Sequence, residues 1–108
     1  MGMFLEVREY TEGGRSAFGD WFDRLDPVTA ARVDRCIRRL EAGNFGAAKA
    51  LHDGVFELRL NFGAGYRVYY GLDGRTLVIL LGGGDKRRQA ADIAAAVERW
   101  QRYKKAKV

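Results

Sequence analysis

Three strand signals follow one another between residues 55 and 81, and they constrain the fold more than any other feature. The segments are VFELRLNF, YRVYYGL and TLVILL. The first two alternate apolar and polar residues, as half-buried strands do, whereas the third is apolar throughout, as in a central strand buried on both faces. Asp73 and Gly74 predict a two-residue hairpin turn between the second and third segments. The spacing therefore predicts a small, mainly antiparallel sheet.

Helix signals lie on both sides of these strands. Apolar residues recur at helical spacing between Arg15 and Leu25. Asp26 supplies an N-cap and Pro27 a first-turn proline for a second helix that runs to about Ala42. A third helix is predicted from about residue 85 to the basic end of the chain, where the last residues fray into solvent.

The order of elements places the chain in the α+β class. An alternating segment at residues 3–10 predicts a first strand, residues 43–54 predict a loop, and the order becomes β-α-α-β-β-β-α. The two neighbouring helices form a hairpin on one sheet face. Period-two spacing places Arg59, Arg67 and Tyr69 on the other face, partly covered by the last helix. Length predicts one domain over residues 1–108.

Composition excludes several classes of function. The net charge is +5, and residues 49–108 carry twelve basic and six acidic side chains, whereas residues 1–48 carry seven and eight. Such a basic half favours a polyanionic partner, above all nucleic acid. Cys36 is the lone cysteine and lies on an apolar helical stripe, so a packing role is expected and a cysteine zinc site is excluded. Neither a membrane span nor a signal peptide is indicated, and we expect a cytoplasmic protein that needs no cofactor or metal.

The candidate site is a set of cations that the topology brings to one edge of the sheet. Arg59 and Arg67 lie on adjacent strands with the same facing, and Tyr69 is placed beside them to stack on a base or contact phosphate. The other members come from two loops: Lys49 and His52 before the first of these strands, and Lys86, Arg87 and Arg88 after the last. Arginine and lysine both suit phosphate oxygens.

Plainer interpretations stay open for several of these residues. Glu57 is placed to pair with Arg59 or Arg67 across the strands. Arg87 and Arg88 fit a solvated surface, and His52 fits an exposed loop.

The segment LGGGDKRRQ, residues 81–89, lacks the spacing of a phosphate-binding loop. Its glycines are expected to form a flexible, closely packed exit from the buried strand, and Asp85 is expected to cap the following helix. The cations that follow Asp85 oppose the helix dipole, a local conflict that is typical of a functional position.

The segments GVFELRLNFGAGYRVYY and VILLGGGDKRRQAADIAAAVERW carry a resemblance to a known family. With this order of elements, the chain resembles the RelE/ParE superfamily of bacterial toxins, and within it the HigB-like addiction module killer proteins. The resemblance covers about residues 3–103. Many members are metal-independent endoribonucleases that cut mRNA, often on the ribosome, and each is neutralised by a cognate antitoxin, here expected to be of the helix-turn-helix type.

The resemblance also implies roles for individual residues. Arg67 matches the strand arginine that contacts the scissile phosphate, while Arg59, Lys49 and Lys86 match further basic positions of the catalytic surface. The chain departs from the pattern because its nearest terminal tyrosine, Tyr103, lies at the far end of a helix, which leaves the general acid and base unassigned. Two alternatives therefore remain: a ParE-like DNA gyrase inhibitor without nuclease activity, or a simple nucleic-acid-binding module.

Overall fold

The computed structural model describes residues 4–107 and is built around a five-stranded sheet. The strand order is β1-β7-β6-β5-β4, in which β1 is parallel to β7 and every other pair is antiparallel. These strands are β1 (Glu6–Glu9), β4 (Ala48–Ala50), β5 (Val55–Arg59), β6 (Arg67–Asp73) and β7 (Leu77–Gly84), and a separate short pair consists of β2 (Thr11–Glu12) and β3 (Arg15–Ser16). The helices are α1 (Ala17–Asp23), α2 (Pro27–Glu41) and α3 (Gln89–Lys107), and a 3₁₀ turn (Lys86–Arg88) precedes α3. The predicted α+β class and mainly antiparallel sheet are confirmed.

Side-chain caps fix where the first two helices begin. The Ser16 hydroxyl accepts from Gly19 N–H at the start of α1, and the Asp26 carboxylate accepts from Thr29 N–H at the start of α2. Pro27 occupies the first turn of α2, where its missing N–H costs nothing. The chain leaves α2 through Gly43, whose φ of 80° belongs to the left-handed region that glycine adopts freely. The predicted extent of α2 is confirmed.

The connections differ from the sequence predictions in three places. The segment predicted as a loop at residues 43–54 contains β4, whose three residues Ala-Lys-Ala carry no apolar alternation that would reveal an edge strand. Asp73 pairs with Leu77, so the turn predicted at Asp73-Gly74 is a three-residue loop over residues 74–76. The first strand is shorter than predicted, and residue 3, which begins the predicted segment, lies outside the described residues.

Strand β7 separates two cores, as its uninterrupted apolar sequence predicts. Val78 and Leu80 face a core shared with α1 and α2, whereas Ile79 and Leu81 face a core shared with α3. All four side chains are buried, which confirms a central strand covered on both faces. Cys36 is half-buried and packs against the first core, in agreement with the expected packing role.

Helix α3 covers its face of the sheet more fully than the sequence predicts. The Trp100 indole fills the space above Gly71, where an added Cβ would lie 2.6 Å from the ring, and above Gly54, where it would lie 2.7 Å from Nε1. The expected fraying of the helix end is wrong, because the Tyr103 hydroxyl and the Lys107 ammonium both donate to Asp73. None of the helices within residues 4–107 combines the length and apolar character that a membrane span requires.

The anchor at the end of α3 predicts a loss of stability in acid. Hydrogen bonds from Lys107 and Tyr103 lower the pKa of Asp73 below its ordinary value of 3.8. A lowered pKa means that the stabilisation is complete above pH 3.8 and is lost as the pH falls through the folded-state value.

We therefore expect the gap in thermal midpoint between the wild type and Asp73→Asn to narrow as the pH drops below about 3.8. Circular dichroism melts across this range measure the gap, with the exposed Asp23→Asn as the control. A gap that stays constant with pH would show that the anchor does not depend on the Asp73 charge.

Candidate nucleic-acid interface

The candidate site lies where β5 ends, β6 begins and β7 ends. Arg59 is paired in register with Arg67, and Arg67 in turn with Gly84, so the three strands meet at one end of the sheet. Lys86 follows β7 directly, as the first residue of the 3₁₀ turn. The topology therefore brings Arg59, Arg67 and Lys86 together, as predicted.

Gly65 fixes how closely two of these residues approach. A Cβ at Gly65 would lie 3.1 Å from Arg67 Nη1 and 3.4 Å from Lys86 Cβ, so the lysine stem and the guanidinium share one small space. The backbone N–H of Lys86 donates to the Ala64 carbonyl at 3.3 Å, which holds the turn against the β5–β6 loop. Gly65 also has a φ of 74°, a conformation that favours glycine.

Arg67 is nevertheless buried, with 5% of its surface exposed. Its Nε lies 3.6 Å from Glu57 Oε2, and one Nη donates to the Gly65 carbonyl. Glu57 is itself 1% exposed and accepts a 2.9 Å hydrogen bond from the Gln89 side chain. The plainer interpretation of Arg67, a cross-strand pair with Glu57, is therefore what the structure shows, and its burial leaves a phosphate little access to the guanidinium.

Lys49, Arg59 and Lys86 are the exposed cations of the site. Lys49 lies in β4 directly opposite Glu57, not in a loop. Because Arg59 follows Glu57 by two residues on β5, Lys49 and Arg59 are diagonal neighbours on one face of the sheet. Such neighbours on one face lie about 5–8 Å apart. None of the three makes an ion pair with the residues that the structure describes. Their positive charge is available to an external anion.

Comparisons with known proteins agree with this architecture. Residues 20–104 match the family described as Phage derived protein Gp49-like (DUF891). The chain belongs to the Gp49-like family. An uncharacterized protein of Haemophilus influenzae is 48% identical over 80 residues, which are 73% of this chain and 81% of the relative. The free state of an E. coli toxin RelE mutant superposes with a TM-score of 0.63 at 19% identity, covering 92% of this chain and 98% of RelE. The Gp49-like chain thus has the RelE fold.

Tyr69 does not fit the stacking role expected for it. Its side chain is 0% exposed and packs among Trp100, Ile79 and other residues under α3. Burial raises the pKa of Tyr69, and the nearby carboxylates of Glu57 and Asp92 raise it further. Its hydroxyl has no hydrogen-bond partner among the described residues. The alternation of β6 predicts the face correctly, but the covering helix removes Tyr69 from solvent.

Arg87 and Arg88 lie beside the cluster, on the outer side of the 3₁₀ turn. The Arg87 guanidinium donates to Asp85 at 3.1 Å, while Arg88 is exposed. Asp85 also accepts from the Arg87 backbone N–H, so it caps the 3₁₀ turn that precedes α3 rather than α3 itself, and a hydrogen bond from the Arg87 side chain lowers the pKa of Asp85. Both arginines line a cavity of about 440 Å³, and Trp21 lines it as well. The solvated interpretation fits Arg87 best, because its charge is partly neutralised within this Gp49-like chain.

His52 and Tyr103 lie away from the cation cluster. His52 is exposed in the loop before β5, at the opposite end of that strand from Arg59, and its Nδ1 lies 2.9 Å from Asp53 Oδ2. Tyr103 lies over the same far end, bonded to Asp73. The expected convergence of His52 with the other cations is wrong, because β4 carries the chain away from the Arg59 end of β5 before His52 is reached. Within residues 4–107, His, Cys, Asp and Glu side chains nowhere form a group of three or more placed to hold a metal ion.

The glycines of β7 are strand residues rather than a flexible exit. Gly82, Gly83 and Gly84 pair with β6, and each lies against a side chain from a helix. A Cβ at Gly83 would lie 2.2 Å from the Trp21 ring. The close packing predicted for this segment is therefore confirmed, but the glycines belong to β7 itself and do not form an exit from it.

Sequence reasoning missed three arginines that lie near the site. Arg32, Arg35 and Arg39 are spaced by three and four residues on α2, and they share a groove with Arg59. This spacing places them on one face of a helix, so the signal was present in the sequence of this Gp49-like protein.

Proposed function

We propose that this Gp49-like protein is the toxin of a toxin–antitoxin system and acts as a metal-independent endoribonuclease on mRNA. The observation that carries the proposal is the set of exposed cations, Lys49, Arg59 and Lys86, at one end of the sheet. The fold shared with RelE, which is described as a toxin, supports it. A HigB-like subgroup, a ribosome-bound message and a helix-turn-helix antitoxin belong to the same proposal.

The cation cluster suits an attack by the RNA 2′-hydroxyl on the adjacent phosphate. The 2′-oxygen forms a bond to phosphorus and loses its proton, while the bond to the 5′-oxygen breaks and that oxygen takes up a proton. Negative charge grows on the phosphate oxygens, and Arg59 and Lys86 stabilise it there. We assign proton transfer to Lys49 and Lys86, because His52 and Tyr103 lie at the other end of the sheet.

Replacing Lys86 by alanine is expected to reduce RNA cleavage about 100-fold, as removal of one preorganised charge does in other enzymes. The matched control is Arg75→Ala, which removes an exposed cation from the β6–β7 loop at the far end of the sheet. Mapping of mRNA 5′ ends after induced expression measures cleavage, and growth of the culture measures toxicity.

The proposal fails if Lys86→Ala leaves the pattern of new 5′ ends and the growth arrest unchanged. DNA breaks with intact mRNA would instead indicate a gyrase inhibitor. A wild-type protein without toxicity or cleavage would leave only a binding module.

A further inference from the structure

A groove of about 350 Å³ runs between α2 and β5, on the sheet face opposite α3. Four arginines border it, and no aspartate or glutamate is among its lining residues. They are Arg32, Arg35, Arg39 and Arg59, all exposed. None forms an ion pair with the part of the chain that the structure describes, although Arg38, on the same helix, pairs with both Asp34 and Glu41. The groove is therefore an uncompensated positive site.

The floor of the groove is apolar. Leu58 and Leu60 lie at its base, 5% and 3% exposed, and Phe45 and Phe62 line its walls. Phe62 has the Arg32 guanidinium 4.6 Å from its ring centroid and Tyr66 against it as well, while Phe45 stacks on Tyr70. The rings are thus already engaged, and leucines give a base no surface on which to stack. An apolar floor is better matched by aliphatic side chains than by RNA.

We propose that this groove binds an acidic, amphipathic segment of a partner protein, with its aliphatic side chains on the floor and its carboxylates against the arginines. Arginine forms bidentate hydrogen bonds with carboxylates, and the apolar floor adds burial. Only the identity of the partner rests on the proposed function: for a toxin of a toxin–antitoxin system, the partner is the antitoxin. Arg59 ends β5 and lies between the groove and the RNA site, so a segment bound in the groove would lie beside the RNA site.

The arrangement carries a local cost that points to a ligand. Arg35 lies three residues after Arg32 and four before Arg39, and like charges at these spacings repel along a helix by about 0.2–0.5 kcal/mol per pair. A partner that supplies carboxylates would remove this repulsion. Conversely, Arg35→Glu relieves it within the free chain, so this substitution is expected to leave the fold intact.

The test measures binding of labelled synthetic peptides by fluorescence anisotropy. One peptide places leucines and glutamates with helical spacing, and a second alternates them with strand spacing. We expect one of them to bind the wild-type protein, and Arg35→Glu to weaken it at least about tenfold. Arg75→Glu, the same charge change at a distant exposed position, should bind as the wild type does. Replacing the leucines by serine or the glutamates by glutamine should weaken binding as well.

Three outcomes would overturn the inference. The first is the failure of both peptides to bind. The second is equal binding by Arg35→Glu and Arg75→Glu. The third is binding of a single-stranded oligouridine RNA that Arg35→Glu abolishes and the peptides do not compete for, since the groove would then be an RNA site. Because anisotropy does not depend on cleavage, a protein that binds the peptide without cutting RNA would contradict the proposed function and support the groove.

Discussion

Replacing Glu57 by alanine is expected to lower the free energy of unfolding by about 3–5 kcal/mol, the usual cost of removing one partner from a buried ion pair. Glu57 and Arg67 are 1% and 5% exposed, so the guanidinium left behind has little access to water. The substitution also removes the acceptor of the Gln89 side chain. Urea titration followed by tryptophan fluorescence measures the change. Glu98→Ala, on the exposed side of α3, is the control and should change stability by about 0.5 kcal/mol or less.

The double variant Glu57→Leu with Arg67→Leu tests whether Glu57→Ala loses stability because it leaves one buried charge without its partner. Replacing both members of a buried ion pair with apolar residues is often neutral or stabilising, so the double variant should be more stable than Glu57→Ala. If Glu57→Ala lowered the free energy of unfolding no more than Glu98→Ala does, the Arg67 guanidinium would be solvated by water despite its burial.

This pair changes which substitution can test the function. The resemblance points to Arg67→Ala as the decisive variant with an intact fold, but removal of Arg67 leaves the Glu57 carboxylate buried and unpaired. A loss of toxicity in Arg67→Ala would then reflect unfolding as readily as lost chemistry. Lys86 is exposed and makes no ion pair with the described residues, so its removal tests the chemistry without this cost.

Period and spacing predict which face of the sheet a residue occupies, but not whether that face is covered. Alternation along β6 correctly places Tyr69 and Arg67 together on the α3 side. Tyr69 is buried because α3 lies close to the sheet there, with Trp100 packed directly over Gly71. No local pattern pairs a tryptophan with a glycine 29 residues before it.

The same limit explains the misplaced histidine. Lys49 and His52 are three residues apart, and a continuous loop would keep both near the strand that follows. Strand β4 instead runs antiparallel to β5, with Lys49 beside Glu57 and His52 beyond the start of β5. A three-residue edge strand is stabilised by its partner's backbone rather than by its own side chains, so its sequence gives no signal.

Replacing Trp100 by alanine is expected to destabilise the protein by about 3–5 kcal/mol, the range for loss of a buried aromatic side chain. Trp100 is 5% exposed, and it packs with Tyr69 and Ile79 in the core under α3. Gly71→Ala should cost about 1–3 kcal/mol, because the new methyl group would lie 2.6 Å from the indole. Urea titrations of both single variants give these values, with circular dichroism as the signal because Trp100 itself contributes to the fluorescence.

The double variant tests whether the two costs share one cause. Without the indole, the methyl group at residue 71 has nothing to displace, so Gly71→Ala with Trp100→Ala should be more stable than the sum of the single effects predicts. Additive effects would show that Gly71 is required by the backbone of β6 rather than by the ring. Coupling would mean that the contact between Trp100 and Gly71 sets the height of α3 above the sheet. The same helix supplies Gln89 to Glu57, which pairs with Arg67, so this contact would also help to hold the buried ion pair beside the basic site.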